Sequence, residues 1–135
     1  MTRPITFTVA GDPVPQPRPR VSTRGGFARA YVPARHPVHA YRQAVADAAK
    51  AAGVTVSDDA VSVELTFLFE RPKSHRTKKG IKKDAPALPA PDVDNLAKAA
   101  LDSLTCVAWH DDRQVARLVV SKGYASESAT LVRLQ

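Results

Sequence analysis

Apolar and polar side chains alternate along two stretches of the chain. Ile5, Phe7 and Val9 are interleaved with Thr6 and Thr8, and the run stops at Gly11. Val61, Val63, Leu65, Phe67 and Phe69 are interleaved with Ser62, Glu64, Thr66 and Glu70. A period of two predicts strands with one buried face, the second being the clearest in the chain. Residues 27–33 add a short strand through Tyr31 and Val32. Gln114 to Lys122 reads as another, and its 115–120 portion is apolar on both faces, as in a central strand. Thr130, Val132 and Leu134 predict the last. Between the strands the spacing turns helical. Pro37 suits a first turn and Gly53 an end, and Val38, Tyr41, Val45, Ala48 and Ala52 form a core-facing stripe with Arg42 and Lys50 off it. Leu96, Ala97, Ala100, Leu101 and Leu104 predict a second helix with Asp94 as its N-cap, while Asp94, Lys98 and Asp102 make a polar row on the other side. The order β-β-α-β-α-β-β describes an α+β domain, two helices packed on a mixed sheet.

At 135 residues the chain makes one domain, 1–135, with a real core. No apolar run approaches the roughly 20 residues of a membrane span. Arg3, Pro4 and the alternating threonines interrupt any signal-peptide core. Cys106 is the one cysteine, so no intramolecular disulfide forms, and a cytoplasmic setting is expected. His36 and His39 read as polar surface groups, and Trp109 as core packing.

Charge sharpens the picture. Twenty Lys and Arg against 13 Asp and Glu give +7, which calls for an anionic partner. Two segments concentrate it. In Pro13–Arg20 four prolines impose a stiff extended path from which Arg18 and Arg20, with Arg24 beyond, can reach phosphates. Residues 71–90 carry Arg71, Lys73, Arg76, Lys78, Lys79, Lys82 and Lys83 against Asp84 alone. So polar a segment is expected to be a mobile basic loop that orders on an anion, with Arg76, Lys78, Lys79, Lys82 and Lys83 as DNA contacts.

Against that background five acidic residues fall close together: Asp92, Asp94, Asp102, Asp111 and Asp112. Pro91 makes the approach extended, so Asp92 and Asp94 face one way at a helix mouth. Asp111-Asp112 then opens a strand that can fold back beside it. Clustered carboxylates need a neutralising partner, and oxygen-only donors suit Mg²⁺ or Mn²⁺. Bound there, such an ion would polarise a phosphodiester, and Lys98 would offset charge on the phosphate. Each acid also has a plain reading: Asp94 as a cap, Asp102 as the partner of Lys98, Asp111-Asp112 as turn residues. An EF-hand fails by register, with Leu96, Ala97 and Ser103 at positions needing a ligand, a glycine and a glutamate.

Asp92-Val93-Asp94-Asn95-Leu96-x-Lys98-x-x-Leu101-Asp102-x-Leu104, followed by Asp111-Asp112-x-Gln114-Val115, resembles the signature of RusA-type Holliday-junction resolvases, small metal-dependent endonucleases of bacteria, prophages and phages. The resemblance extends upstream through the Pro-rich segment and covers most of the chain. It implies that Asp92, Asp94 and Asp112 hold the metal, with Asp111 as a further candidate, and that Lys98 is a catalytic residue beside the scissile phosphate. It also implies a homodimer that cuts branched DNA with Mg²⁺ in recombination and repair. The alternatives are a non-catalytic basic nucleic-acid-binding module, whose acids are caps and ion-pair partners, and a nuclease for flaps or RNA.

Overall fold

Residues 3–135 are described in a computed structural model. The chain runs through β1 (Ile5–Ala10), a small hairpin of β2 (Arg20–Ser22) and β3 (Arg29–Tyr31), and α1 (Val38–Ala51). Next come β4 (Val61–Glu70), a second small hairpin of β5 (Arg76–Thr77) and β6 (Gly80–Ile81), α2 (Val93–Leu104), β7 (Val115–Ala125) and β8 (Ala129–Leu134). Four strands form one mixed sheet in the order β1-β8-β4-β7, with β4 and β7 parallel and the other pairs antiparallel. The fold is α+β.

Alternation decides which face is covered. Val61, Val63, Leu65 and Phe67 of β4 are buried, and β8 sets Leu134, Val132 and Thr130 beside the last three in register. Both helices lie on this face, α1 over β1 and α2 beside β7. The stripe of α1 is buried at Val38, Tyr41, Val45 and Ala49. On α2 the small Ala97, Ala99 and Ala100 are buried with Leu96 and Leu104, and they let its backbone come close to sheet and neighbour. Trp109 is fully buried in the turn after α2. Tyr41 and Thr130 share a 2.6 Å hydrogen bond inside the core, and burial pushes the Tyr41 phenol up to about 12. Among the described residues no helix is long and apolar enough to cross a membrane.

Three local features differ from expectation. Helix α2 begins at Val93, so Asp92 is the N-cap residue and Asp94 lies in the first turn. Pro91 restrains the residue before it, not those after it. Asp92 therefore ends the extended stretch (φ −70°, ψ 138°), and its carbonyl accepts the first helical bond from Leu96 at 3.1 Å. Second, β7 is an edge strand, paired only with β4. Leu118 and Val119 stay 42% exposed, so apolar residues on both faces here mark an uncovered edge instead of a central position. Third, residues 71–90 carry structure of their own. Arg76 pairs with Ile81 and Thr77 with Gly80, Lys82 N–H donates to the His75 carbonyl at 2.9 Å, and the Arg71 guanidinium lies 4.1 Å above the Tyr124 ring.

Candidate metal centre and nucleic-acid surface

Helix α2 separates the acids into two groups. Asp92 and Asp94 occupy its N-terminal turn, both exposed, where the helix dipole favours negative charge. Lys98 stands one turn further on, also exposed. At the opposite end Thr105 is the C-cap residue, and its hydroxyl donates to Asp112 Oδ1 at 2.7 Å. Trp109 Nε1–H donates to the same oxygen at 3.1 Å. Asp94 to Thr105 spans roughly 16 Å at about 1.5 Å of rise per residue. Metal–oxygen bonds are only about 2.0–2.6 Å long. Asp112 of one chain therefore does not share an ion with its own Asp92 and Asp94, and among the described residues no three Asp, Glu, His or Cys side chains are grouped to hold one. Asp92 and Asp94 stand in the same helical turn, and Asp112 lies at the other end of the helix.

Asp111 and Asp112 have different neighbours. Asp111 Oδ1 accepts the Arg113 backbone N–H at 2.9 Å, and the Gln114 side chain returns the bond by accepting from Asp111 N–H at 3.1 Å. That backbone donor, followed by the Arg113 charge, holds the Asp111 carboxyl below its ordinary range. Asp111 caps the 3-10 turn leading into β7. Asp112 uses Oδ1 for its two donors, and its Oδ2 has no protein partner among the described residues. It faces an open concavity of about 390 Å³ shared with Arg42, Asp102, Thr105, His110 and Asp111. Asp102 is paired with Arg42 at 3.3 Å, across to α1, and not with Lys98.

Two straps frame the Asp92–Asp94 mouth. Gln16 N–H, in the Pro-rich segment, donates to the Asn95 carbonyl at 2.9 Å, and Arg42 Nη2 donates to the Gln16 side chain. On the other side Lys122 of β7 donates to the Pro89 and Pro91 carbonyls at 2.8 and 2.7 Å. Strand β7 thus starts beside the Asp112 end of α2 and finishes beside its Asp92 end. Arg18 and Arg20 follow the first strap and are exposed, as is Arg24 at the tip of the β2–β3 hairpin. Arg76, Lys78, Lys79, Lys82 and Lys83 are exposed on or just after the β5–β6 hairpin. Arg71, Arg76 and Lys78 line an open cavity of about 650 Å³ with Tyr124 and no acidic residue.

Sequence reasoning missed Thr105 and Trp109 as the holders of Asp112, Gln16 and Lys122 as strap anchors, and Arg71 as a cavity cation. Only Arg71 carried a signal, as one of the seven cations in its segment. Gln16 and Lys122 act through contacts across long sequence separations, and Thr105 and Trp109, only seven and three residues from Asp112, are brought to it by the turn after α2, which no periodicity encodes.

The family described as Endodeoxyribonuclease RusA matches residues 10–135. A relative, "Uncharacterized protein YqaN" of Bacillus subtilis (strain 168), is 35% identical over 137 residues, covering 97% of this chain and 95% of its own length.

Proposed function

The chain belongs to the RusA endodeoxyribonuclease family, and from that membership we propose that it is a divalent-metal-dependent, structure-selective endonuclease that cuts four-way and related branched DNA in recombination and repair. The observation that carries this is the family match itself, which spans both acidic motifs and both basic segments.

The donor set fits a hard cation: Asp92, Asp94 and Asp112 are exposed carboxylates that offer only oxygen. Mg²⁺ is the expected ion, with Mn²⁺ as a substitute. Such an ion, when bound, polarises the phosphodiester and lowers the pKa of an attacking water. Asp92, Asp94 and Asp112 are its holders. Lys98 offers a mobile ammonium to the charge that develops on the phosphate, and Arg18, Arg20 and Arg24 with the cations of the β5–β6 hairpin grip the backbone. Asp111 is left out of the ligand set, because its carboxylate already caps a turn and pairs with Arg113.

Separation of Asp112 from Asp92 and Asp94 is what a non-catalytic reading would use. A homodimer answers it. Strand β7 offers an unpaired edge along its 11 residues with Leu118 and Val119 exposed, a surface that proteins ordinarily pair or cover. Two such edges meeting antiparallel about a two-fold near Arg117 and Leu118 would set Asp112 of one chain opposite the 122–124 segment of the other, where Lys122 is bonded to Pro91. Asp112 of one protomer would then approach Asp92 and Asp94 of its partner.

The test is Asp94→Asn assayed for binding and cutting of a four-way junction, beside a panel of flap, duplex and RNA substrates for the unmodified protein. Retained binding with cleavage reduced by several orders of magnitude supports the reading. Cleavage at the original rate would remove Asp94 from the chemistry, and preferred cutting of flaps or RNA would move the substrate.

A further inference from the structure

The β2–β3 hairpin is the most exposed apolar element of the molecule and has no role in the core. Val21 and Phe27 are each 69% exposed and Tyr31 45%. The tip turns on Gly25 and Gly26, with φ of +80° and +79°, values that side chains other than glycine's rarely adopt. Beyond them Phe27 is extended at φ −123° and ψ 139°. Alternation along β3 puts Arg29 and Tyr31 on one face, antiparallel pairing adds Arg20 opposite Tyr31, and Phe27 stands at the bend just before the strand. This side of the hairpin therefore reads aromatic, cation, aromatic along the chain, all three exposed.

Its electrostatic setting points to one class of ligand. From Pro13 to Ala46 the chain contains no acidic residue. None of Arg18, Arg20, Arg24, Arg29 or Arg35 forms an ion pair among the described residues. Rings interleaved with uncompensated cations suit a nucleic-acid strand, with bases on the rings and phosphates between them. Position adds the second constraint. The hairpin grows directly out of the stiff Pro-rich strap whose Gln16 is bonded to Asn95, next to Asp94. Arg20 lies only about 14 Å of extended chain beyond Gln16.

We propose that this face is a stacking platform for unpaired bases of a DNA strand leaving the branch point, with Phe27 and Tyr31 taking bases and Arg29 the intervening phosphate. The platform holds the branch open beside the acidic mouth. It presupposes the branched-DNA reading above, and the test separates the two.

The experiment is fluorescence titration, without divalent cation, of a four-way junction carrying 2-aminopurine at the branch, with Phe27→Ala, Tyr31→Ala and Arg29→Ala as single variants. All three sites are exposed, so the fold tolerates them. The unmodified protein raises 2-aminopurine emission as the base unstacks. Each aromatic variant loses that rise and weakens junction binding by roughly 5- to 150-fold, the range for removing one base–aromatic stack, with the salt dependence unchanged. Arg29→Ala lowers the slope of log affinity against log salt by about one. Phe27→Ala and Tyr31→Ala proteins that bind and unstack the junction as the unmodified chain does would overturn the platform. Loss of unstacking in these variants, from a protein that cleaves no DNA in magnesium, would leave the platform standing and remove the nuclease instead.

Discussion

Asp112 is held by two donors on one oxygen, the Thr105 hydroxyl and the Trp109 indole N–H, and both donors are fixed by helix α2 and its buried exit. This division orients the carboxylate and leaves Oδ2 outward. Removing the hydroxyl should loosen the proposed Asp112 ligand without unfolding the protein, because Thr105 is half-buried and Trp109 remains. We expect Thr105→Val to lower cleavage about 10- to 100-fold, as lost outer-sphere partners do, with recovery at higher Mg²⁺. A rate equal to that of the unmodified enzyme at limiting Mg²⁺ would show that Asp112 needs no such orientation. The core pair behaves differently. Tyr41→Phe strands the Thr130 hydroxyl, which has no exposure at all, and should cost about 1–3 kcal/mol in denaturant unfolding with cleavage per folded molecule unchanged. Carboxylates were legible in the sequence because composition and spacing display them. Their holders were not, since a hydroxyl or an indole has no signature until the fold sets it beside its acid.

Elements were legible to the extent that one face of each is buried. The alternation of β4 and the stripe of α1 follow directly from core contact, and the structure keeps both within a residue or two. Two elements were read less well, each for a physical reason. The start of α2 moved because both Asp92 and Asp94 are able caps and Pro91 does not choose between them. Strand β7 reads as central because its composition serves a surface that wants covering, and sequence does not say whether that cover is the same chain. The proposed edge contact gives this a test. Leu118 lies near the two-fold, so Leu118→Lys would face its own symmetry mate and set two ammonium groups together. Already 42% exposed, the site should leave monomer stability within about 0.5 kcal/mol. Analytical ultracentrifugation should show the variant as monomer at concentrations where the parent is dimer, and cleavage should fall in step. A dimeric, active Leu118→Lys protein would put the interface elsewhere.

For the whole molecule the question is how a protein of charge +7 deploys its acids. It places one pair at the start of α2 and a third carboxylate past its end, with cations on both straps, and on the reading proposed above a single chain holds only part of the site. If the complete site spans two chains, two different defects can repair each other. Asp94→Asn and Asp112→Asn homodimers are each expected to be inactive. Co-expressed, they should form mixed dimers in which the Asp112→Asn chain supplies Asp92 and Asp94 to the intact Asp112 of the other. Each mixed dimer then has one whole site and one with neither contribution. About half the dimers would be mixed, so roughly a quarter of the parental number of sites should return. Because a lone site cannot make the paired cut, the products on a four-way junction should be single nicks, not resolved duplexes. A site built within one chain makes the opposite forecast: each chain of the mixture lacks a ligand, and no activity returns. A silent mixture, beside an active co-expression of two differently tagged parental chains, would exclude the shared site and with it the account of why α2 keeps its acids so far apart.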